Sequence, residues 1–221
     1  MALISQVQDA YVGARAAAPL PINRSVAKRC LDVVGALAGL VACSWLLLLI
    51  ALAVRLDSPG PIFFTQRRLG KDGRAFTILK FRTMVPQCPA ESEAVRHDER
   101  RTGLLFKQPQ DPRVTRVGKW LRRTSLDELP QLVNILRGEM SLVGPRPLPV
   151  EDTRYYADWQ WDRLAVLPGL TGLWQVSGRS HLSGDDMVRL DLSYIREWRL
   201  TADMVILFRT VGAVWRRDGA Y

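Results

Sequence analysis

The hydropathy pattern is dominated by one run, Val33 to Val54, which reads VVGALAGLVACSWLLLLIALAV and holds 22 residues without a charge. As a helix it would extend about 33 Å at ~1.5 Å per residue, close to the hydrocarbon thickness of a bilayer. It begins too late and runs too long for a secretory h-region, and no A-x-A cleavage site follows it. Arg29, Asp32, Arg55 and Asp57 bracket the run like interfacial anchors. A buried core helix is the competing reading. Arg24, Lys28 and Arg29 precede the run, and Arg55, Arg67, Arg68, Lys71 and Arg74 follow it. With both flanks basic, the positive-inside rule gives no single orientation. A hairpin that enters one leaflet and returns keeps both flanks on one side. That bend needs a mid-run break. Cys43-Ser44-Trp45 offers a Ser able to bond back to its own turn, but no Pro or Gly. The expectation is a break at Ser44, with Trp45 near the turn or packed against the rest of the protein.

Beyond this run the periodicity changes. SPGP at 58–61 stops any helix before it. PIFFTQ and AFTILKF, around the turn LGKDG, predict a short β-hairpin. Residues 85–110 are polar and irregular and predict a loop. VGKWLRR and then SLDELPQLVNILRG predict helices. SLVGPRPLPV reads as extended, set by its prolines, and LPGLTGLWQVSG as a glycine-punctuated loop or strand. DDMVRLDLSYIREW and ADMVILFRTVGAVWRR predict amphipathic helices. In the last, Met204, Val205, Leu207, Phe208, Val211, Val214 and Trp215 share a broad apolar side, expected either at a membrane surface or on the protein's own core. The fold class expected is α+β and helix-rich: a re-entrant N-terminal membrane helix, a small β-hairpin and amphipathic interfacial helices.

Composition narrows the partners. The 221 residues carry 31 Lys+Arg against 22 Asp+Glu, a net charge of +9, and 26 of those cations are Arg. Arg makes forked contacts with phosphate and carboxylate. The charge therefore implies an anionic partner: a phosphorylated substrate, nucleic acid or an acidic membrane surface. A genome-wide codon bias toward Arg is the competing reading of the excess. Cys30, Cys43 and Cys88 form no CxxC pattern, and His97 and His181 stand far apart, which argues against a Cys/His zinc site.

The cations gather in two stretches. Residues 67–82 hold Arg67, Arg68, Lys71, Arg74, Lys80 and Arg82; residues 111–147 hold Arg113, Arg116, Lys119, Arg122, Arg123, Arg137 and Arg146, and Arg179 follows. Several lie among glycines or prolines, which lets an anion approach the backbone closely. Arg146, between Pro145 and Pro147, is carried on a stiff extended strut. Against this field stands the pair Asp127-Glu128. Ser125-x-x-Glu128 matches a helix capping box. Alternatively, two carboxylates at a helix start, among Arg side chains, hold Mg2+ and a diphosphate together, and one of them attacks phosphorus. Neighbouring helical residues point about 100° apart, so the two carboxylates need different roles.

KRCLD at 28–32, LDSPGPIFFTQRRLG at 56–70, KFRTM at 80–84, DPRVTRVG at 111–118, SLDELPQL at 125–132, SLVGPRP at 141–147 and LTGLWQVSGR at 170–179 resemble the bacterial sugar transferases. These are the monotopic phosphoglycosyl transferases that start polyprenol-linked glycan assembly. The resemblance covers about nine-tenths of the chain. It implies transfer of a sugar 1-phosphate from a UDP-sugar to undecaprenyl phosphate with release of UMP, dependent on Mg2+, at the cytoplasmic face of the bacterial inner membrane. Carried over, Asp127 is the nucleophile and Glu128 assists with metal or proton handling. Lys80, Arg82, Arg122, Arg146 and Arg179 match phosphate- or nucleotide-binding positions. The implied organisation is a tail at 1–24, a membrane-embedded segment at 25–57 and a catalytic domain at 58–221 lying on the membrane. The family's re-entrant helix breaks at Ser-Pro, and here Trp45 replaces the Pro. Longer relatives carry extra N-terminal helices, so this chain is expected to match the minimal catalytic unit. QVSGRSHLS resembles members that transfer hexose phosphates. A membrane-anchored scaffold and a basic nucleic-acid-binding protein are the rival classes. The apolar run and the lack of RNP or helix-turn-helix patterns argue against nucleic acid, and the carboxylate pair among Arg side chains argues against a scaffold. The sequence leaves open whether the chain forms a homodimer.

Overall fold

The computed structural model describes residues 20–85, 111–178 and 182–216. The expectations for the first 19 residues, for most of the 85–110 loop and for Arg179 lie outside the described residues.

The apolar run is not one rod. It forms α1, Val26–Ala42, and α2, Ser44–Asp57, bent by 63° at their junction. The chain leaves helical geometry at Cys43, with φ −96° and ψ 4°. The Ser44 hydroxyl donates back to the Val41 carbonyl at 2.9 Å, the local bond that lets Ser bend a helix. Neither helix alone is long and apolar enough to cross a membrane, whereas the bent pair together is. Trp45 is 64% exposed; it sits beside the bend and does not pack against the rest of the protein.

The N-terminal flank of the run does not behave as a set of solvent-facing anchors. Lys28 and Asp32 are buried. Lys28 Nζ lies 2.7 Å from Asp203 and 3.3 Å from Asp32. Asp32 also accepts from the Ser141 hydroxyl at 3.0 Å and the Leu142 amide at 2.9 Å. These buried charges are paired, as desolvation requires. They tie α1 to the C-terminal helix across most of the sequence.

Strands β1, Phe63–Leu69, and β2, Ala75–Phe81, form the expected antiparallel hairpin, with Phe64 opposite Lys80. The turn is closed by Asp72 at φ 55° and Gly73 at φ 70°. On β2 the two-residue alternation buries Phe76 and Ile78, so Lys80, the next residue on that face, also points inward.

Helix α3, Arg116–Thr124, docks on α2 through Leu121, which meets Ile50, Val54 and Phe81 in one apolar cluster. The expected single helix over SLDELPQLVNILRG is interrupted. Ser125 turns left-handed at φ 57°, a 3-10 turn spans Leu126–Glu128, and α4, Gln131–Leu136, follows. The main core gathers Ile78, Leu132, Ile135, Met140, Val143, Val188 and Ile206. Within it β3, Ser141–Val143, pairs parallel with β4, Gly169–Thr171. Then come α5, Leu173–Val176, α6, Gly184–Arg196, and α7, Leu200–Arg216. On α7, Ile206 and Ala213 face the core, while Met204, Val205, Phe208 and Val211 remain exposed.

Candidate active site

The break at Ser125 builds the site. A helix running on from α3 would carry Asp127 and Glu128 along one cylinder. The left-handed residue instead folds the chain into the 3-10 turn, whose amides bond back to main-chain carbonyls (Glu128 N to Ser125 O, 3.3 Å; Leu129 N to Leu126 O, 3.3 Å). The Ser125 side chain caps nothing, and the Glu128 carboxylate is turned elsewhere. The capping-box reading of Ser125 and Glu128 therefore fails.

Glu128 is the hub of a half-buried ion network. Its Oε1 accepts from Lys80 Nζ at 2.6 Å and from Arg146 Nη2 at 2.5 Å, and its Oε2 accepts from Arg146 Nη1 at 3.2 Å. Three distant segments thus meet: the hairpin through Lys80, the 3-10 turn through Glu128 and the proline-framed strut through Arg146. Burial alone would raise the Glu128 carboxyl, but the Arg146 and Lys80 charges overrule it and hold it well below the usual carboxylate range. Burial lowers the Lys80 ammonium, with Glu128 opposing and Arg146 reinforcing the fall.

Asp127 is the opposite case. Among the described residues it has no hydrogen bond or ion pair, although Lys80, Arg146 and Arg122 lie within electrostatic reach. Burial, with the Glu128 charge beside it, pushes its carboxyl up from 3.8 to about 6. Adjacent carboxylates are thereby driven apart, one locked as a structural anion and one left uncommitted. Such a separation marks chemical division of labour.

Arg122 is held at the rim. Its Nε donates to the Thr83 hydroxyl at 3.0 Å. Thr83 can approach because residue 118 is Gly: a Cβ there would lie 2.1 Å from the Thr83 carbonyl oxygen. Burial lowers the Arg122 guanidinium, against the raising pull of Asp127.

The structure brings Lys80, Arg122, Asp127, Glu128 and Arg146 together. It does not bring Arg82 with them. Arg82 is 5% exposed and donates to the carbonyls of Pro59 (2.6 Å), Ser58 (2.7 Å) and Val54 (3.2 Å). It caps the orphan carbonyls at the end of α2, so its fork is already filled. Thr83 was not singled out from the sequence; its signal is its place in KFRTM, two residues past the end of β2 and three past Lys80. Arg68 is another missed neighbour. Burial and the Arg146 charge lower it to about 10, and it donates to the Pro147 carbonyl at 3.1 Å.

No group of three or more His, Cys, Asp and Glu side chains forms a metal cage among the described residues. Mg2+ commonly needs only one or two carboxylates plus substrate phosphates. The donors fit that mode: both Asp127 oxygens are uncommitted, and Glu128 Oε2 accepts only the 3.2 Å bond from Arg146.

A family model described as bacterial sugar transferase matches residues 23–217. Over 202 residues the chain is 45% identical to the exopolysaccharide production protein ExoY of Sinorhizobium fredii, covering 89% of this chain and 88% of that one. Over 218 residues it is 43% identical to a UDP-glucose:undecaprenyl-phosphate glucose-1-phosphate transferase of Caulobacter vibrioides, covering 94% and 77%. Over 200 residues it is 42% identical to galactosyl transferase CpsE of Streptococcus agalactiae, covering 88% of this chain but 43% of the relative. The chain thus spans less than half of some relatives and most of others.

Proposed function

Because the chain belongs to the bacterial sugar transferase family, we propose that it transfers a sugar 1-phosphate from a UDP-sugar to undecaprenyl phosphate, in two steps through Asp127. One observation carries this reading: a half-buried carboxyl with no hydrogen bond or ion pair among the described residues, next to one that is ion-paired, with Lys80, Arg122 and Arg146 around it. A nucleophile must be uncommitted, and its surroundings must be ready for phosphate charge.

In the first step an Asp127 carboxylate oxygen attacks the phosphorus that bears the sugar. A P–O bond forms to Asp127, the bond to the bridging oxygen breaks, and that oxygen leaves as UMP. In the second step an oxygen of the lipid phosphate attacks the same phosphorus and displaces the Asp127 carboxylate. The product is the lipid diphosphate sugar, and neither step needs a net proton transfer. Glu128, held ionised, keeps Lys80 and Arg146 beside the reacting phosphorus. Arg122 approaches the diphosphate from the Thr83 side. Mg2+, held by Asp127 or Glu128 together with substrate oxygens, would supply further charge neutralisation.

The lipid acceptor requires a membrane. In this reading α1 and α2 enter and leave one leaflet, and the exposed Leu48, Leu49, Leu52 and Leu56 contact acyl chains. The apolar stripe of α7 adds Phe208, which is 84% exposed. Both basic flanks then stay on the cytoplasmic side with the UDP-sugar.

The test is UMP release by the purified full chain with undecaprenyl phosphate and Mg2+ across a panel of UDP-sugars. Release with one or a few hexose nucleotides is expected. No release with any of them contradicts the reading.

A further inference from the structure

The segment Val143–Pro147 carries Arg146 into the site, and hydrogen bonds hold the carbonyls of Val143, Pro145, Arg146 and Pro147 and the Gly144 amide. Val143 O accepts from Lys28 Nζ at 3.1 Å and from the Tyr194 hydroxyl at 3.1 Å. The Gly144 amide donates to Thr171 O at 2.9 Å, and Pro145 O accepts from the Gly169 amide at 2.8 Å. That last approach is so close that a Cβ on Gly169 would lie 2.1 Å from the Gly144 nitrogen. Arg146 O accepts from Arg163 Nη2 at 3.0 Å, and Pro147 O accepts from Arg68 Nη1 at 3.1 Å. Two guanidiniums therefore clamp the carbonyls of consecutive residues, one of them the residue that touches Glu128.

Arg163 is the more telling of the two. It is 3% exposed, as buried as a core leucine. Its Nη2 bonds both the Arg146 carbonyl and Asp191 Oδ2, at 2.5 Å, and its Nη1 bonds the Tyr156 hydroxyl at 3.1 Å. Its Nε is buried with no partner among the described residues. A buried ion pair with an orphaned donor is a poor way to stabilise a fold, since apolar residues of similar volume often do as well or better. What the pair does supply is direction. The Asp191 carboxylate, 1% exposed on α6, fixes the guanidinium plane. The guanidinium in turn fixes the peptide unit from which the Arg146 side chain departs.

We propose that Arg163 and Asp191 are a positioning pair for Arg146: they touch no reacting atom and act on the reaction by holding the Arg146 main chain. The effect on catalysis rests on the sugar-phosphate transfer reading, whereas the effect on the strut does not. A misplacement of about 1 Å in such a group costs on the order of 100-fold in rate.

The test uses the full chain in lipid nanodiscs. The double variant Arg163→Met/Asp191→Leu removes both buried charges, so its melting temperature is expected to stay close to the unsubstituted protein's. Its kcat/KM for UMP release is expected to fall about 100-fold, by the same misplacement argument. In an Arg146→Ala background the same double substitution is expected to cost no further activity. Hydrogen exchange should quicken at the amides of Gly144, Arg146 and Leu148, a readout that needs no substrate. Arg163→Lys keeps the charge but not the three-way fork, and is expected to melt normally, lose activity and show the same faster exchange. Activity that recovers with stability in the double variant, losses that add fully to that of Arg146→Ala, or unchanged exchange in Arg163→Lys would each overturn the proposal. UMP release by the unsubstituted chain reports separately on the functional reading.

Discussion

Asp127→Asn should stabilise the protein, and only where Asp127 is ionised. A carboxyl whose ordinary value of 3.8 is lifted to about 6 by burial costs the folded state about 3 kcal/mol when it ionises, at ~1.36 kcal/mol per decade of acidity. The sign follows from the direction of the shift. The folded pKa is raised, so the group's favourable contribution is fully present below 3.8 and is lost as pH rises through 6. The amide is a neutral isostere of the protonated acid and does not titrate. At pH 8 the variant should therefore be more stable by up to about 3 kcal/mol. For a chain of this length that is roughly 6–12 °C in melting temperature. Near pH 4 the advantage should vanish. The assay is thermal unfolding of both proteins in one detergent, followed by tryptophan fluorescence at several pH values. A stabilisation equal at pH 4 and pH 8, or a loss of stability at pH 8, would refute the claim that Asp127 is held in an unfavourable, uncommitted state.

Four further outcomes follow from the same geometry. The rate of UMP release in a single turnover without lipid acceptor should rise with pH through about 6 and then level, because the nucleophile must be ionised; Glu128→Gln should move that limb to lower pH by removing the neighbouring charge, even as the plateau falls. Arg82→Met should lower stability by about 2–4 kcal/mol for loss of its charged hydrogen bonds and leave the KM for UDP-sugar unchanged, a split that steady-state kinetics and thermal unfolding together resolve. Thr83→Val, which removes the hydroxyl that holds Arg122, should raise that KM with little change in melting temperature. Gly118→Ala should impair both, since its Cβ has no room beside the Thr83 carbonyl.

Local patterns were readable where the chemistry is local. The hairpin follows from β-type residues on either side of LGKDG, and the bend follows from a serine that bonds to its own preceding turn. The cluster of Lys80, Arg122 and Arg146 around Asp127-Glu128 was legible only through motifs taken together, because Lys80 reaches Glu128 across 48 residues. What escaped sequence reading is the sorting of cations by partner. Arg82 and Lys80 stand two residues apart in one motif, yet one caps a helix end and the other meets a carboxylate. Asp32 reads as an interfacial anchor and Lys28 as a basic flank until Asp203, Ser141 and Leu142 come to them in space. Arg163 and Asp191 carry no local signature, since each is an ordinary charge within its own segment. Ser125 matched a capping box by spacing, but a left-handed backbone at that residue spends the motif on reversing the chain.

The most direct measurement is the intact mass of the chain, quenched rapidly after mixing with a UDP-sugar that supports UMP release and Mg2+, with no lipid acceptor present. The account expects one added sugar phosphate, mapped by peptide analysis to Asp127, absent from Asp127→Asn and discharged when undecaprenyl phosphate is added. No adduct at any time, together with UMP release that begins only once the lipid is bound, would contradict it.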